Sequence, residues 1–187
     1  MKILLTAVAV FISQFITTYS NAADDVLLSE ARKVAMELPP KLIVTLQDQI
    51  KKSGPEGAIS VCKDMSPRMA TEISQKTGWQ VKRVSLKARN NVRAIPDEWE
   101  KAALEDFDMR AAAGESPAEL EKGEKVGNEY RYVKALPVKP LCLSCHGSTD
   151  QLSDAVKSEL AKHYPNDLAT GYSSGQIRGA ISVRKSL

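Results

Sequence analysis

Cysteine and histidine are scarce in this chain. Its 187 residues include only three cysteines and two histidines, which excludes a disulfide-stapled scaffold and a series of metal sites. Any chemistry that these side chains carry is therefore expected at one place. An excess of one charge is also lacking, because 26 Lys and Arg are scattered among 23 Asp and Glu. We therefore do not expect nucleic acid or an anionic membrane surface as a partner.

Long apolar runs are missing except at the N-terminus. Lys2 is followed by an apolar stretch over residues 3–16, and small residues continue to Ala22. The stretch is shorter than the ~20 residues that cross a bilayer, and the pattern is typical of a secretory signal peptide. We therefore expect residues 1–22 to be removed on export, which leaves a periplasmic domain of residues 23–187 without a membrane anchor.

Helical periodicity covers much of this mature domain. Apolar residues recur every three or four positions over residues 26–52, 58–78 and 152–164, which predicts amphipathic helices. The pair Pro39-Pro40 should split the first of these helices. Gly78 should end the second in a left-handed cap.

Three further segments carry strand patterns. Alternation, or a high content of β-branched and aromatic residues, predicts strands over residues 79–86, 130–136 and 177–183, the last of them half-exposed. Helix-start signals lie between the strands, at Asp97 and at the capping box that begins with Ser116. Because helices and strands mix without a regular βαβ repeat, we predict one α+β domain with a small antiparallel sheet flanked by helices.

The motif with the clearest chemistry is Cys142-Leu143-Ser144-Cys145-His146, which is the C-x-x-C-H attachment signature of c-type haem. Two thiols about one helical turn apart can each add to a vinyl group of the porphyrin, and the adjacent His146 can then bind the iron. We therefore predict one covalent haem c. The alternatives are a redox-active Cys142–Cys145 disulfide, a zinc site that also uses Cys62 and His146, and a structural disulfide that involves Cys62.

Residue chemistry alone leaves the second axial ligand of the iron open. One cysteine remains after two are consumed as thioethers, and methionine or histidine can fill the same position. Methionines on an apolar helical face usually belong to the core, and a histidine at a helix C-terminus is usually solvated. The candidates are Cys62, His163, Met36, Met65, Met69 and Met109.

Several segments together resemble a known family. They are Ala58–Cys62, Arg83–Asn90, Pro96–Glu100, Cys142–Gly147, Tyr164–Tyr172 and Gly175–Ala180. In this order they resemble the exported, PAS-like monohaem c-type proteins described for a cyanobacterial haem protein and found fused to some bacterial sensor kinases. The resemblance implies a PAS-like α+β fold, His146 as the proximal iron ligand and Cys62 as an axial thiolate.

Polar residues of the same segments have two open interpretations. Arg83, Arg89 and Asn90 could bind the haem propionates through charge-assisted hydrogen bonds. They could equally be solvated surface groups.

A His146/Cys62 ligand pair predicts a sensor. A thiolate donates strongly and favours ferric iron, so reduction should weaken the bond from Cys62 and allow a small gas such as carbon monoxide or nitric oxide to bind. We expect the signal to pass to a separate signalling protein. The alternative is a periplasmic electron-transfer cytochrome with a redox partner protein. A peroxidase-type enzyme is a minor possibility, because His163 is the only imidazole left for acid-base chemistry.

Overall fold

The computed structural model describes residues 16–187, with side chains from Ala22 onward. Most of the expected signal peptide, residues 1–15, lies outside this part. The helices and strands are α1 (Ile16–Ala35), α2 (Leu38–Gly57), α3 (Ser66–Thr77), β1 (Gln80–Val84), α4 (Glu98–Ala112), β2 (Glu121–Val126), β3 (Glu129–Pro137), α5 (Leu143–His146), α6 (Asp154–His163) and β4 (Ile177–Ser186). A π-helical turn, Val61–Met65, precedes α3, and a 3₁₀ turn, Pro140–Cys142, precedes α5. No helix in this described part combines the length and apolar character that a membrane crossing needs.

The strands form one antiparallel sheet in the order β1-β4-β3-β2. β2 and β3 form a hairpin, whereas β4, although it comes last of the strands in the chain, lies between β1 and β3. β4 therefore pairs on both sides with strands that lie far before it in the sequence. The predicted α+β fold with a small antiparallel sheet flanked by helices is confirmed.

Alternating side chains of the sheet contribute to two separate cores. On one face, Tyr130 and Tyr132 of β3 pack with apolar residues of α1 and α3. On the other face, Val133 and Ala135 of β3 pack with apolar residues of α4. The expectation of a half-exposed last strand is wrong, because Ile177–Val183 of β4 is buried at every position. The reason is that β4 is a central strand and helices cover both of its faces.

Proline and glycine set two helix ends as predicted. α1 ends at Ala35 and α2 begins at Leu38, so Pro39-Pro40 lies in the first turn of α2, where a proline costs no helical hydrogen bond. Gly78 follows the last residue of α3 with a φ of 74°, in the left-handed region.

The short helix that the Ser116 capping box predicts does not form. Only a single turn forms there, closed by the Glu119 N–H, which donates to the Ser116 carbonyl at 3.0 Å. The chain must become extended at Glu121, where β2 begins to pair with β3. Too few residues remain for a helix before the strand.

Candidate functional site

The C-x-x-C-H segment forms two consecutive turns. The 3₁₀ turn ends at Cys142 and α5 carries Cys145 and His146, so the two sulfurs are one turn apart along the chain. All cysteines of the chain are free thiols. The Cys142 sulfur accepts a hydrogen bond from the Lys139 N–H at 3.4 Å, and Cys145 packs against the apolar face of α6. Burial raises the pKa of the Cys145 thiol. Neither of the disulfides considered as alternatives to haem is present among these cysteines.

His146 is held in one tautomer. Its Nδ1 lies 2.7 Å from the carbonyl oxygen of Ala169, and because a carbonyl can only accept, Nδ1 must carry the proton. The lone pair of Nε2 is then the basic one. Burial, reinforced by the charges of Arg178 and Arg89, lowers the pKa of His146 well below its usual range. A neutral imidazole with Nδ1–H fixed on a carbonyl is the form that binds a metal through Nε2.

Arg89 connects the segments around this histidine. Its guanidinium forms an ion pair with Asp167 at 3.0 Å and donates to the carbonyl oxygens of Cys145 at 2.5 Å and Ala169 at 3.3 Å. Only 7% of Arg89 is exposed, so the interpretation of this residue as a solvated surface group is wrong. Arg89 holds in place the carbonyl that fixes the His146 tautomer.

Cys62 lies in the π-helical turn Val61–Met65 and is half-buried. A π-helical turn inserts one residue into a helix and is frequent at functional sites. Among the other candidate ligands, His163 is engaged by Lys63 at 3.1 Å and by Glu159 at 3.1 Å.

Two cavities of about 430 and 280 Å³ share much of their lining and bring the predicted residues together. The first is of the size of ordinary ligand pockets, about 300–1,000 Å³. The residues that line both cavities are Cys62, Arg83, Arg89, Leu136, His146, Tyr164 and Arg178.

The remaining predicted residues line one cavity each. Asn90 lies in the wall of the larger cavity, and its side-chain oxygen accepts hydrogen bonds from the backbone of Val92 and Arg93. Cys142 and Cys145 line the smaller cavity, beside apolar residues of α2. Of the candidate ligands other than Cys62, only Met36 lies in the described lining of either cavity.

The cavities have basic walls. No aspartate or glutamate is among the described residues that line them. The basic lining residues are Lys82, Arg83, Arg89, Arg93, Lys134, Lys139 and Arg178. An anionic ligand with a large apolar surface would suit this combination of apolar and positively charged walls.

Arg178 is a site residue that the sequence patterns did not single out. It is 9% exposed, and one of its terminal nitrogens donates to the Ser85 hydroxyl at 2.8 Å and the Lys87 carbonyl at 3.2 Å. Its Nε lies 3.2 Å from Nδ1 and 3.4 Å from Nε2 of His146. Because Nδ1 is itself a donor, only Nε2 can accept from Arg178. Burial lowers the pKa of Arg178 to about 10. The signal available in the sequence was an arginine followed by a glycine inside an otherwise apolar strand.

Comparison with known proteins gives two matches. The sequence matches the Tll0287-like family over residues 8–186. The fold is similar to the crystal structure of the cyanobacterial heme-protein Tll0287, with 27% sequence identity and a TM-score of 0.54 over 65% of this chain and 69% of that chain. Among curated proteins, none matches this chain. The prediction of a PAS-like fold is confirmed by this structural likeness.

Proposed function

The chain belongs to the Tll0287-like family, and from this premise we propose that it is a c-type cytochrome that holds one haem through Cys142, Cys145 and His146. One observation carries the proposal. The C-x-x-C-H segment lies in the wall of a cavity, with both thiols free and with the Nε2 lone pair of His146 available. The structural relative is itself a heme-protein by its description.

The residues present fit haem better than they fit zinc. The smaller cavity has a wall of apolar side chains. The lining shared by both cavities includes arginines but no aspartate or glutamate. This combination suits haem, which is a flat apolar macrocycle with two carboxylate groups of its own. Within the described residues, no group of three or more His, Cys, Asp or Glu side chains could hold a metal ion by itself. A four-ligand zinc site would need such a group.

Each residue of the motif has a defined task in this proposal. Cys142 and Cys145 would hold the haem covalently, each through a thioether in which the S–H has added across one vinyl group without a leaving group. His146 would supply Nε2 to the iron, and its hydrogen bond to the Ala169 carbonyl would raise the basicity of the ring. When bound, haem supplies a one-electron centre and a position where a small ligand can bind.

Cys62 is proposed as the second axial ligand and as the switch of a redox or gas sensor. Its presence in the lining of both cavities together with His146 supports this role, as does its place in a π-helical turn. Cys62 would bind in the oxidised state and leave on reduction, because electron density at the iron weakens a thiolate bond. We also propose that the protein is exported and signals to a separate partner protein.

The test is spectroscopy of protein matured in a host that assembles c-type cytochromes. We expect the mass of one haem on the wild-type chain, and loss of the covalent haem when Cys142 and Cys145 are replaced by serine. Cys62→Ala should change the absorption and paramagnetic-resonance spectra. The matched control is Met65→Ala, which removes a sulfur from the same π-helical turn but from neither cavity wall.

The outcomes separate the parts of the proposal. A wild-type chain without added haem mass would overturn haem binding altogether. If Cys62→Ala and wild-type spectra coincide in both redox states, the thiolate ligand and the sensor fail, and the electron-transfer cytochrome becomes the better interpretation.

A further inference from the structure

Two arginines of the cavity walls have no acidic partner among the described residues. Three other basic lining residues, Lys82, Arg89 and Lys134, form ion pairs with Glu100 at 2.8 Å, Asp167 at 3.0 Å and Glu121 at 3.5 Å. Arg93 and Lys139 are exposed, so water can solvate their charges. Arg178 is buried and Arg83 is half-buried, and neither forms an ion pair within the described chain. A buried charge needs a counter-ion.

Arg178 would lose a hydrogen-bond acceptor when the site is filled. Its Nε can donate only to Nε2 of His146, at 3.4 Å. This is the atom that the proposed function gives to the iron. The Nε–H group of Arg178 is then a buried donor that must find another acceptor, because an unpaired buried donor destabilises the protein.

Arg83 is the second available cation. It is half-buried, and its one side-chain hydrogen bond within the described chain, to the Ser66 hydroxyl, is long at 3.5 Å. Arg83 lines the same two cavities as Arg178. Two neighbouring cations with unused donors form a binding site for carboxylates, which a guanidinium can grip through two parallel hydrogen bonds.

We propose that Arg178 and Arg83 bind the propionate carboxylates of haem, and that Arg89 does not. The inference rests on the proposed function and names the residues that would hold the charged edge of the cofactor. Arg89 is excluded because Asp167, at 3.0 Å, already serves as its counter-ion.

Resonance Raman spectra of the ferrous protein test this inference, because the propionate bending bands respond to hydrogen bonds at the carboxylates. We expect these bands to shift in Arg178→Gln and in Arg83→Gln. The reduction potential should fall in both variants, since removal of a nearby cation favours the ferric form. Arg184→Gln is the matched control, because Arg184 is also on β4 but its Nε donates to Gln80 at 2.7 Å, away from the cavities. Bands and potential should stay unchanged in this control.

The other possible results contradict either this inference alone or the proposed function as well. If haem is attached and the propionate bands of both variants match those of the wild type, this inference fails and the proposed function stands. If Arg178→Gln does not accumulate, Arg83→Gln decides alone, because the Arg83 side chain makes one long hydrogen bond, to Ser66, and no ion pair within the described chain. A wild-type potential that changes with phosphate concentration at fixed ionic strength would show that a free anion occupies the pair. No haem on the wild-type chain would overturn both proposals.

Discussion

At the scale of single residues, Arg89 has the most connections around His146. It reaches the C-x-x-C-H segment through the Cys145 carbonyl and the following loop through Asp167 and Ala169. The Asp167 carboxylate also accepts a hydrogen bond from the Ala169 N–H at 2.8 Å. The side chains of Arg89 and Asp167 therefore both position the Ala169 carbonyl, which fixes the His146 tautomer. The ion pair is therefore expected to matter for stability as well as for the histidine.

Asp167→Asn tests this connection. The substitution keeps the shape of the side chain but leaves Arg89 buried and charged without a counter-ion. We expect the free energy of unfolding to fall by about 3 kcal/mol, the lower end of the usual cost of breaking a buried ion pair. Urea denaturation measures it. Asp150→Asn is the control, since Asp150 is exposed, and its stability should match the wild type. An equal loss in both variants would contradict a specific role of the Asp167 ion pair.

Some residues of the site could be predicted from the sequence and others could not. The C-x-x-C-H spacing identified Cys142, Cys145 and His146 as one site, and the structure places them at one cavity. Cys62 was one of six candidate ligands from residue chemistry, and only the family resemblance selected it, because periodicity cannot tell a core cysteine from a ligand. Arg178 was missed because its burial depends on neighbouring strands far away in the sequence, which no local pattern records.

At the scale of the elements, an irregularity in β4 shapes the site. The register with β3 shifts between Leu136 and Pro137, opposite the segment that carries Arg178 and Gly179. Gly179 has a φ of 153°, and a Cβ atom there would lie 2.2 Å from the Val84 carbonyl oxygen of β1. Only glycine lets the two backbones approach at this point. The bulge sets the direction of the neighbouring arginine.

Gly179→Ala should therefore be among the more damaging small substitutions. The added methyl group meets a backbone atom that cannot move aside, in addition to the strain of a positive φ, which costs about 1–3 kcal/mol by itself. Gly114→Ala is the matched control, because Gly114 also has a positive φ, of 95°, but has open space around its Cα. Thermal unfolding should show a clearly larger drop in Tm for Gly179→Ala. Equal drops would mean that the contact with Val84 is not limiting.

Helices were easier to predict than strands for a physical reason. An amphipathic helix repeats its apolar face within the segment itself, so α1, α2 and α6 were all expected from their periodicity. β2 was not expected, because Glu121–Val126 is an edge strand with mostly polar residues and gains its stability from pairing with β3. Strand formation here depends on a partner rather than on the segment.

At the scale of the whole molecule, the sheet separates a packed side from a side with space. α4 closes one face through Phe107 and its neighbours. On the face of Ile181, the cavities lie beside α2 and α3, and their walls include Leu136 and Cys62. The sequence could predict the class of this fold but not the cavities, because empty space is a property of the packing of distant elements.

The free energy of local unfolding should differ between the strands and helices of this fold. β4 is buried and paired on both sides, whereas β2 is a partly exposed edge strand. We expect backbone amides of Ile181 and Val183 to show the slowest hydrogen exchange, and the non-helical residues Ser53 and Gly54 within α2 to exchange fast. Exchange followed by mass spectrometry or NMR measures this in the purified protein. Protection of β2 equal to that of β4 would contradict it.

The central place of β4 also orders events during biosynthesis. The ribosome synthesises Cys142 and Cys145 before Ile177–Ser186. The C-x-x-C-H motif is therefore complete while β1 and β3 still lack the strand that lies between them. Covalent attachment, as proposed above, would then take place on sulfurs that the closed sheet does not yet cover. Arrival of the last strand then closes the sheet and brings Arg178 against His146.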